Sequence, residues 1–144
     1  MLPFVSESGK IIFVGSMAGK VKRLNEERRE KFMNPNLTKD ELNKLLEDFT
    51  EGVRDGNYAE KGYPKTIYGM SKVGINVYAR VLSNYEAIQG KKVQVYTFCP
   101  GYCDTDMTSH KGPRSIKDGA LTGVYLIELP FEVKPEFQGQ FFEN

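Results

Sequence analysis

Hydrophobic positions along this chain fall into two kinds of pattern, short continuous apolar runs and longer runs with helical spacing. Residues 10–14 and 92–98 are largely apolar, β-branched or aromatic, and the second run stops at Pro100. Runs of this kind predict strands, and the first is typical of a strand buried on both faces of a parallel sheet. The shorter run 138–142 predicts a third strand.

Two helices are predicted between the first two strands. Thr38 followed by Glu41 has the spacing of a capping box, and apolar residues then recur at helical spacing as far as residues 55–56. A longer helical pattern covers residues 68–87, and Gly90 suits the left-handed position that follows a helix. A strand, helices and a second strand form a crossover unit, which places the two strands in parallel.

A third helix is predicted after the second strand. Ser115 can cap its first turn with Asp118 at the third helical position, and Pro130 prevents it from continuing. The whole order is therefore β, α, α, β, α, β, which indicates an α/β fold with a parallel sheet of about three strands. Ligands of such sheets bind beyond the carboxyl ends of the strands.

Composition predicts a single globular domain spanning residues 1–144, with 40% hydrophobic and 27% charged residues. A net charge of +1 gives no reason to expect nucleic acid or a membrane surface as a partner. The two cysteines, Cys99 and Cys103, provide neither a disulfide framework nor a metal site, so we expect no metal. Low cysteine content and the lack of a signal-like or membrane-spanning run predict a cytoplasmic protein.

Candidate chemistry lies where the strands are predicted to end. Ser16 follows the first strand, Pro100 and Gly101 follow the second, and Tyr68 and Lys72 open the long helix between them. Tyr68 and Lys72 are one helical turn apart, on the side away from the apolar stripe. A cation one turn from a phenol favours the phenolate, so such a pair can supply a proton near neutral pH.

Each of these signals also has a structural interpretation. A Tyr-x-x-x-Lys pair alone is most often a solvated helix face. A serine hydrolase would need Gly-x-Ser-x-Gly, whereas Ser16 lies one place early in the run GSMAG, and His110 lies in a polar loop typical of a solvated histidine. The basic residues of segment 20–31 alternate with glutamates, which favours a salt-bridged surface over a nucleic-acid site.

Three segments taken together carry a resemblance to a known family. They are residues 9–16 (GKIIFVGS), 68–72 (YGMSK) and 99–107 (CPGYCDTDM). In this order they resemble the catalytic half of the short-chain dehydrogenase/reductase family, and in particular its monomeric carbonyl reductases. The resemblance implies a partial Rossmann-like fold, in which segment 20–62 would be the helical insertion that marks the carbonyl reductase branch.

The resemblance also implies roles for individual residues. Tyr68 would protonate the carbonyl oxygen, Ser16 would hydrogen-bond it, and Lys72 would assist Tyr68 and hold the cofactor ribose. The cofactor would be NADPH, and the residues bordering its nicotinamide, besides Tyr68 and Lys72, would be Pro100, Gly101, Cys103 and Thr105. The substrate would be a small-molecule aldehyde, ketone or quinone, with Met17 and Tyr63 beside it; both of these could equally be core or rim residues.

The chain also departs from the family pattern. None of its 14 glycines forms a Gly-x-Gly, so the family's glycine-rich phosphate site and the strands around it are expected to lie outside this sequence. The first strand would then expose an edge that a protein partner could cover. Three accounts stay open: an incomplete copy of a reductase, a short protein kept as a structural piece, or a fold completed by another chain.

The sequence therefore predicts the catalytic half of an NADPH-dependent carbonyl reductase, with little activity expected from the isolated chain. The alternative is a catalytically silent interaction subunit of a larger assembly that retains the family residues.

Overall fold

The structure, a computed structural model, describes residues 6–85, 88, 90–132 and 134–143. Its strands are β1 (Ser8–Val14), β2 (Lys92–Cys99) and β3 (Phe141–Glu143). The α-helices in the described part of the chain with assigned bounds are α1 (Glu26–Met33), α2 (Lys39–Arg54), α3 (Ile67–Ser83) and α4 (Ile116–Glu128). Short 3-10 turns follow β1 at Met17–Gly19 and β2 at Asp106–Thr108.

The three strands form one parallel sheet in the order β1-β2-β3, which confirms the predicted α/β class. The central strand, β2, is buried from its second residue onward. Both faces of β1 are covered, with Ile11 and Phe13 packed on the α3 side and Ile12 on the α4 side, but the strand is only partly buried and not fully buried as predicted. Among the described residues β1 pairs with β2 alone, so it forms an edge of the sheet.

The third strand begins three residues later than predicted because a side chain replaces the backbone at its start. Gln138 accepts a hydrogen bond from the Val95 amide at 2.8 Å and donates one to the Val93 carbonyl at 2.8 Å. The chain then turns at Gly139, whose φ of 68° lies in the left-handed region that favours glycine. The backbone makes its first hydrogen bond to β2 here, from the Gly139 amide to the Val95 carbonyl at 2.8 Å, and residue pairing in the sheet begins at Phe141.

The helix starts agree with the predicted caps. Thr38 and Glu41 form the expected capping box, and Ser115 accepts from the Asp118 amide at 3.0 Å. The predicted end of α3 is wrong: the helix stops at Ser83, and Gly90 is not its C′ residue. The last turn closes on itself there, since the Asn84 amide donates to the Val81 carbonyl at 3.2 Å. The predicted end at Ala87 lies outside the described residues.

The sheet has helices on both faces. Alternate residues of β2 point to opposite sides: Val93 and Val95 pack with α3, whereas Tyr96 and Phe98 pack with Leu126 of α4. A third group of apolar side chains, here called the helical cluster, joins α1 and α2 to the outer side of α3. Its buried members are Leu24, Phe32, Leu37, Leu42, Phe49, Tyr63, Met70, Val73, Val77 and Val81.

The first helix, α1, was not predicted, and a residue of another helix stabilises its carboxyl end. The Arg80 guanidinium on α3 donates to the carbonyls of Phe32 at 2.5 Å and Asn34 at 2.9 Å. A cation at a helix carboxyl end also interacts favourably with the helix dipole. Burial lowers the pKa of Arg80 from its ordinary value. No helix in the described residues is long and apolar enough to cross a membrane.

Candidate active site

A cleft of about 1090 Å³ opens beyond the carboxyl ends of β1 and β2. This is the position at which parallel α/β sheets bind their ligands. The residues lining it, here called the cleft residues, come from the ends of β1 and β2, the start of α3, the loop after β2 and the start of α4. They are Val14, Gly15, Ser16, Met17, Tyr68, Lys72, Phe98, Cys99, Pro100, Gly101, Tyr102, Cys103, Thr105, Met107, Thr108, Ser109, Lys111, Ile116, Gly119 and Ala120.

Ser16 is held in place at the end of β1 by its neighbours. Its backbone is extended, and its hydroxyl oxygen accepts from the Ala18 amide at 3.1 Å. The Asn76 side chain on α3 donates to the Ser16 carbonyl at 3.1 Å. A side chain at Gly15 would collide with Asn76, since a Cβ there would lie 2.2 Å from its Oδ1. The glycine before Ser16 therefore lets α3 support the serine directly.

Tyr68 and Lys72 lie in the first turns of α3, which Thr66 caps by accepting from the Gly69 amide at 3.0 Å. The Lys72 ammonium donates to the Val14 carbonyl at 2.9 Å, so it is tied to the last residue of β1. Its Nζ lies 5.8 Å from the centre of the Tyr68 ring. Tyr68 is 52% exposed, and its hydroxyl has no hydrogen-bond partner among the described residues.

The loop after β2 forms the opposite wall of the cleft. Gly101 has a φ of 82°, and a Cβ there would lie 2.8 Å from the Arg114 guanidinium. The Cys103 thiol is buried 3.3 Å from the Pro100 carbonyl, and both cysteines are free. Cys103 and Arg114 form an isolated parallel β-bridge, and the Asp104 amide donates to the Arg114 carbonyl at 2.8 Å. These backbone contacts hold the two ends of the loop together.

The chain is similar in sequence to carbonyl reductases. The chain is 34% identical to carbonyl reductase [NADPH] 1 of Mus musculus over 148 aligned residues, which cover 100% of this chain and 53% of that protein. It is 32% identical to carbonyl reductase [NADPH] 1 of Homo sapiens, over 98% of this chain and 52% of that protein.

Solved structures agree with these relatives. Salutaridine reductase from Papaver somniferum superimposes with a TM-score of 0.82 at 27% identity, over 95% of this chain and 46% of that one. In sequence and in fold the chain is similar to reductases of the short-chain dehydrogenase/reductase family. Menthone neomenthol reductase from Mentha piperita superimposes with a TM-score of 0.68 at 25% identity, over 96% of this chain and 42% of that one.

The predicted resemblance to the carbonyl reductases is thus confirmed, and the chain spans about half the length of the curated relatives it matches. No protein-family model matches the chain.

The structure brings most of the residues predicted from the family motifs to the cleft. Ser16, Tyr68 and Lys72 line it together, as do Met17 and the predicted nicotinamide-side residues. Those residues are Pro100, Gly101, Cys103 and Thr105. Their individual roles stay predictions.

Tyr63 is the exception, because it does not line the cleft. It is 4% exposed and belongs to the helical cluster, where its hydroxyl lies 2.6 Å from Asp48 and 3.0 Å from the Leu45 carbonyl. Burial, followed by the hydrogen bond to Asp48, raises the pKa of Tyr63 well above its ordinary value. Of the two interpretations given for Tyr63, the structure supports the core residue and not the substrate contact.

Sequence reasoning missed several cleft residues, among them Tyr102, Met107, Lys111 and Ile116. Their place in or just after the loop that follows β2 was the available signal. Asn76 was also missed, although it lies one helical turn beyond Lys72 on the same side of α3.

The histidine and the cysteines form no metal site. Among the described residues no group of three or more histidine, cysteine or acidic side chains could hold an ion. His110 does not line the cleft, and it is more than a solvated loop residue. Its imidazole bridges two carboxylates, with Nδ1 at 2.6 Å from Asp104 and Nε2 at 3.0 Å from Asp106.

Proposed function

We propose that this chain forms the proton-donating side of an NADPH-dependent reductase that acts on carbonyl compounds, namely aldehydes, ketones or quinones. The observation that carries the proposal is that Ser16, Tyr68 and Lys72 line one cleft beyond the ends of β1 and β2. The names of the curated relatives, carbonyl reductase [NADPH], support both the reaction and the cofactor.

The cleft fits the nicotinamide end of this cofactor. Its volume suits a small-molecule ligand, and the left-handed backbone at Gly101 keeps one wall free of a side chain. Pro100, Gly101, Cys103 and Thr105 would border the ring. When bound, the reduced nicotinamide supplies the hydride.

Tyr68 is available as the proton donor. Its exposed hydroxyl has no partner in the described residues, so it is free to donate its proton to a carbonyl oxygen as negative charge develops there. Ser16 assists at the same oxygen. Because its Oγ accepts from the Ala18 amide, its own hydrogen is left to donate to the substrate.

Lys72 has two tasks, and one existing contact positions it for both. Of its three N–H groups, one donates to the Val14 carbonyl, which leaves two for the ribose hydroxyls of the cofactor. Its positive charge lies 5.8 Å from the centre of the Tyr68 ring, where it can stabilise the negative charge that develops on that side chain as the proton is transferred.

The test is turnover by the purified 144-residue chain with NADPH and a test carbonyl, with NADPH binding followed by fluorescence. Tyr68→Phe should lower kcat/KM by about 10²–10⁴-fold and leave NADPH binding nearly unchanged. Tyr125→Phe is the matched control, since Tyr125 is equally exposed and is not one of the cleft residues. Full turnover by Tyr68→Phe would reject Tyr68 as the donor.

A second function is favoured by one observation, the edge of β1. Within the described residues no strand pairs with the outer side of Ser8–Val14. A bare strand edge is a ready site for another chain. If a demonstrably folded chain binds no NADPH, independent reductase activity is rejected, and an interaction subunit that keeps the family residues becomes the better proposal.

A further inference from the structure

The charged side chains that line the cleft are positive, and the proposed reaction uses only one of them. Among the described residues that line it, only Lys72 and Lys111 are charged, and no acidic side chain lines it. Lys72 is already engaged by the Val14 carbonyl. The Lys111 ammonium has no hydrogen-bond or ion-pair partner in the described part of the chain.

The acidic residues of this loop and of the first turn of α4 have other partners than Lys111. The His110 imidazole lies between Asp104 and Asp106 and bonds to both. Asp118, at the start of α4, accepts from the Ser115 hydroxyl at 2.6 Å. None of these three carboxylates pairs with Lys111 in the described part of the chain, so the charge of the lysine is available to a ligand.

The backbone that carries Lys111 is fixed. Ser109 and His110 have φ values of 51° and 56°, a left-handed conformation that is uncommon for residues other than glycine. The Lys111 amide donates to the Thr108 carbonyl at 3.1 Å, and the Thr108 hydroxyl donates to the Cys103 carbonyl at 2.6 Å. Strained backbone held by surrounding contacts is typical of ligand-binding loops.

The rest of the wall near this loop is apolar and exposed. Met107 is 87% exposed and Ile116 is 66% exposed, and Met17 and Tyr102 are exposed beside them in the lining. Large apolar side chains grouped in one concave surface mark a binding site for an apolar ligand. Methionines can adjust to ligands of different shape.

We infer that the cleft binds carbonyl compounds that combine an apolar body with one carboxylate or similar anionic group, and that Lys111 pairs with that group. Lys111 is then a specificity-determining residue of the substrate side. The identification of the ligand as a substrate rests on the proposed function, whereas the binding of an apolar anion does not. The same charge could instead meet a phosphate of NADPH, and the experiment separates the two sources.

The test compares two fluorescent probes with the same aromatic body. 1-Anilinonaphthalene-8-sulfonate carries one negative charge, and N-phenyl-1-naphthylamine is neutral. Each is titrated into the 144-residue chain without NADPH. Lys111→Gln should weaken the binding of the anionic probe roughly five- to tenfold and leave the binding of the neutral probe unchanged. Lys111→Glu should weaken the binding of the anionic probe further, and Lys111→Arg should restore it. The difference should shrink as salt is raised.

Two variants locate the probes. Met107→Ser removes part of the apolar wall and should weaken the binding of both probes, whereas Lys117→Gln removes an exposed lysine outside the cleft lining and should change the binding of neither. Equal loss of both probes in Lys111→Gln, or no effect of Lys111→Gln and Met107→Ser on either, would overturn the inference. So would a Lys111→Gln variant that binds NADPH more weakly while keeping its affinity for the anionic probe.

Turnover then tests the substrate role separately. The kcat/KM for the anionic 4-oxo-4-phenylbutanoate is divided by the kcat/KM for the neutral butyrophenone. In Lys111→Gln this ratio should fall by a factor similar to the loss in binding of the anionic probe. If neither compound is reduced by any variant, the proposed function fails while the probe result stands. If both are reduced and the ratio does not change, Lys111 does not select substrate and the inference fails.

Discussion

Two tyrosines near the start of α3, Tyr63 before the helix and Tyr68 in its first turn, show how one residue type serves two purposes. Tyr63, in the helical cluster, is 4% exposed, and Tyr68, in the cleft, is 52% exposed. Each lies close to a cation: the Arg28 guanidinium is 4.6 Å from the Tyr63 ring centre, and Lys72 Nζ is 5.8 Å from the Tyr68 ring centre. The difference is in the hydroxyl, which has internal partners in Tyr63 and none described in Tyr68.

The polar groups around Tyr63 satisfy one another. Asp48 lies 2.6 Å from the Tyr63 hydroxyl, 3.0 Å from Lys61 Nζ and 2.8 Å from Arg28 Nη1. The hydrogen bond from Tyr63, with help from the two cations, holds the pKa of Asp48 below its ordinary value. The Tyr63 hydroxyl and the Asp48 carboxylate are bonded to other groups of the protein, so they stabilise the fold and are not available for reaction. The Tyr68 hydroxyl has no described partner and is available to a ligand.

The largest effect should come from removing an apolar anchor of the helical cluster. The Phe49 ring packs edge-on against Tyr58 at 5.8 Å and Tyr63 at 5.2 Å between ring centres. Phe49→Ala should lower the free energy of unfolding by about 3–5 kcal/mol, measured by urea denaturation. Met107→Ala, at an exposed position in the cleft, should change it by less than about 0.5 kcal/mol. Equal losses would show that the two regions are not energetically distinct.

The next effect separates the two tyrosines directly. Tyr63→Phe removes the hydroxyl that bonds to Asp48 and the Leu45 carbonyl, and should lower the free energy of unfolding by about 1–3 kcal/mol. Tyr68→Phe removes a hydroxyl with no described partner, so its stability should stay within about 0.5 kcal/mol of the original. Chemical denaturation of both variants, with circular dichroism as the signal, measures this. A larger loss in Tyr68→Phe than in Tyr63→Phe would refute the assignment of roles.

Much of this arrangement could be predicted from the sequence where local signals and tertiary structure agree. The caps at Thr38 and Ser115 each depend on residues within three positions of one another, and the apolar runs of β1 and β2 are sufficient to specify strands. Ser16, Tyr68 and Lys72 could be grouped because strand ends and the crossover helix must meet at one edge of a parallel sheet.

Other features depend on contacts that are distant in sequence, and local patterns do not contain them. Helix α1 is mostly charged, with Phe32 as its one buried residue, and it is anchored by Arg80 far along the chain. The resemblance places Tyr63 beside the substrate and leaves a core position open, and its burial is decided by contacts with Asp48 and Phe49 on α2. The same holds for Gln138, whose side chain replaces the backbone of β3.

A smaller effect compares the two caps. Thr38→Ala and Ser115→Ala each remove an N-cap hydrogen bond, at 3.2 Å and 3.0 Å respectively, and each should lower the free energy of unfolding by about 1 kcal/mol. Only Ser115→Ala should also weaken binding of a cleft ligand, because α4 carries Ile116 in the cleft lining. Titration of the neutral naphthylamine probe measures this, and weaker binding in Thr38→Ala alone would contradict it.

The smallest effect concerns pH and Asp48, whose side chain is still a third exposed and so partly screened by solvent. Because the pKa of Asp48 is lowered in the folded protein, its contribution to stability is complete above the unfolded value of about 4. It falls as the pH drops below 4 and is lost once the pH passes below the lowered pKa of the folded state. The difference in Tm between the original protein and Asp48→Asn should therefore be constant near neutrality and should shrink in acid.

Glu51→Gln, an exposed position on the same helix, serves as the control for the loss of one carboxylate. A Tm difference for Asp48→Asn that stays the same from pH 7 to pH 2 would mean that the charge of Asp48 does not stabilise the helical cluster, and that its neutral hydrogen bond with Tyr63 is sufficient.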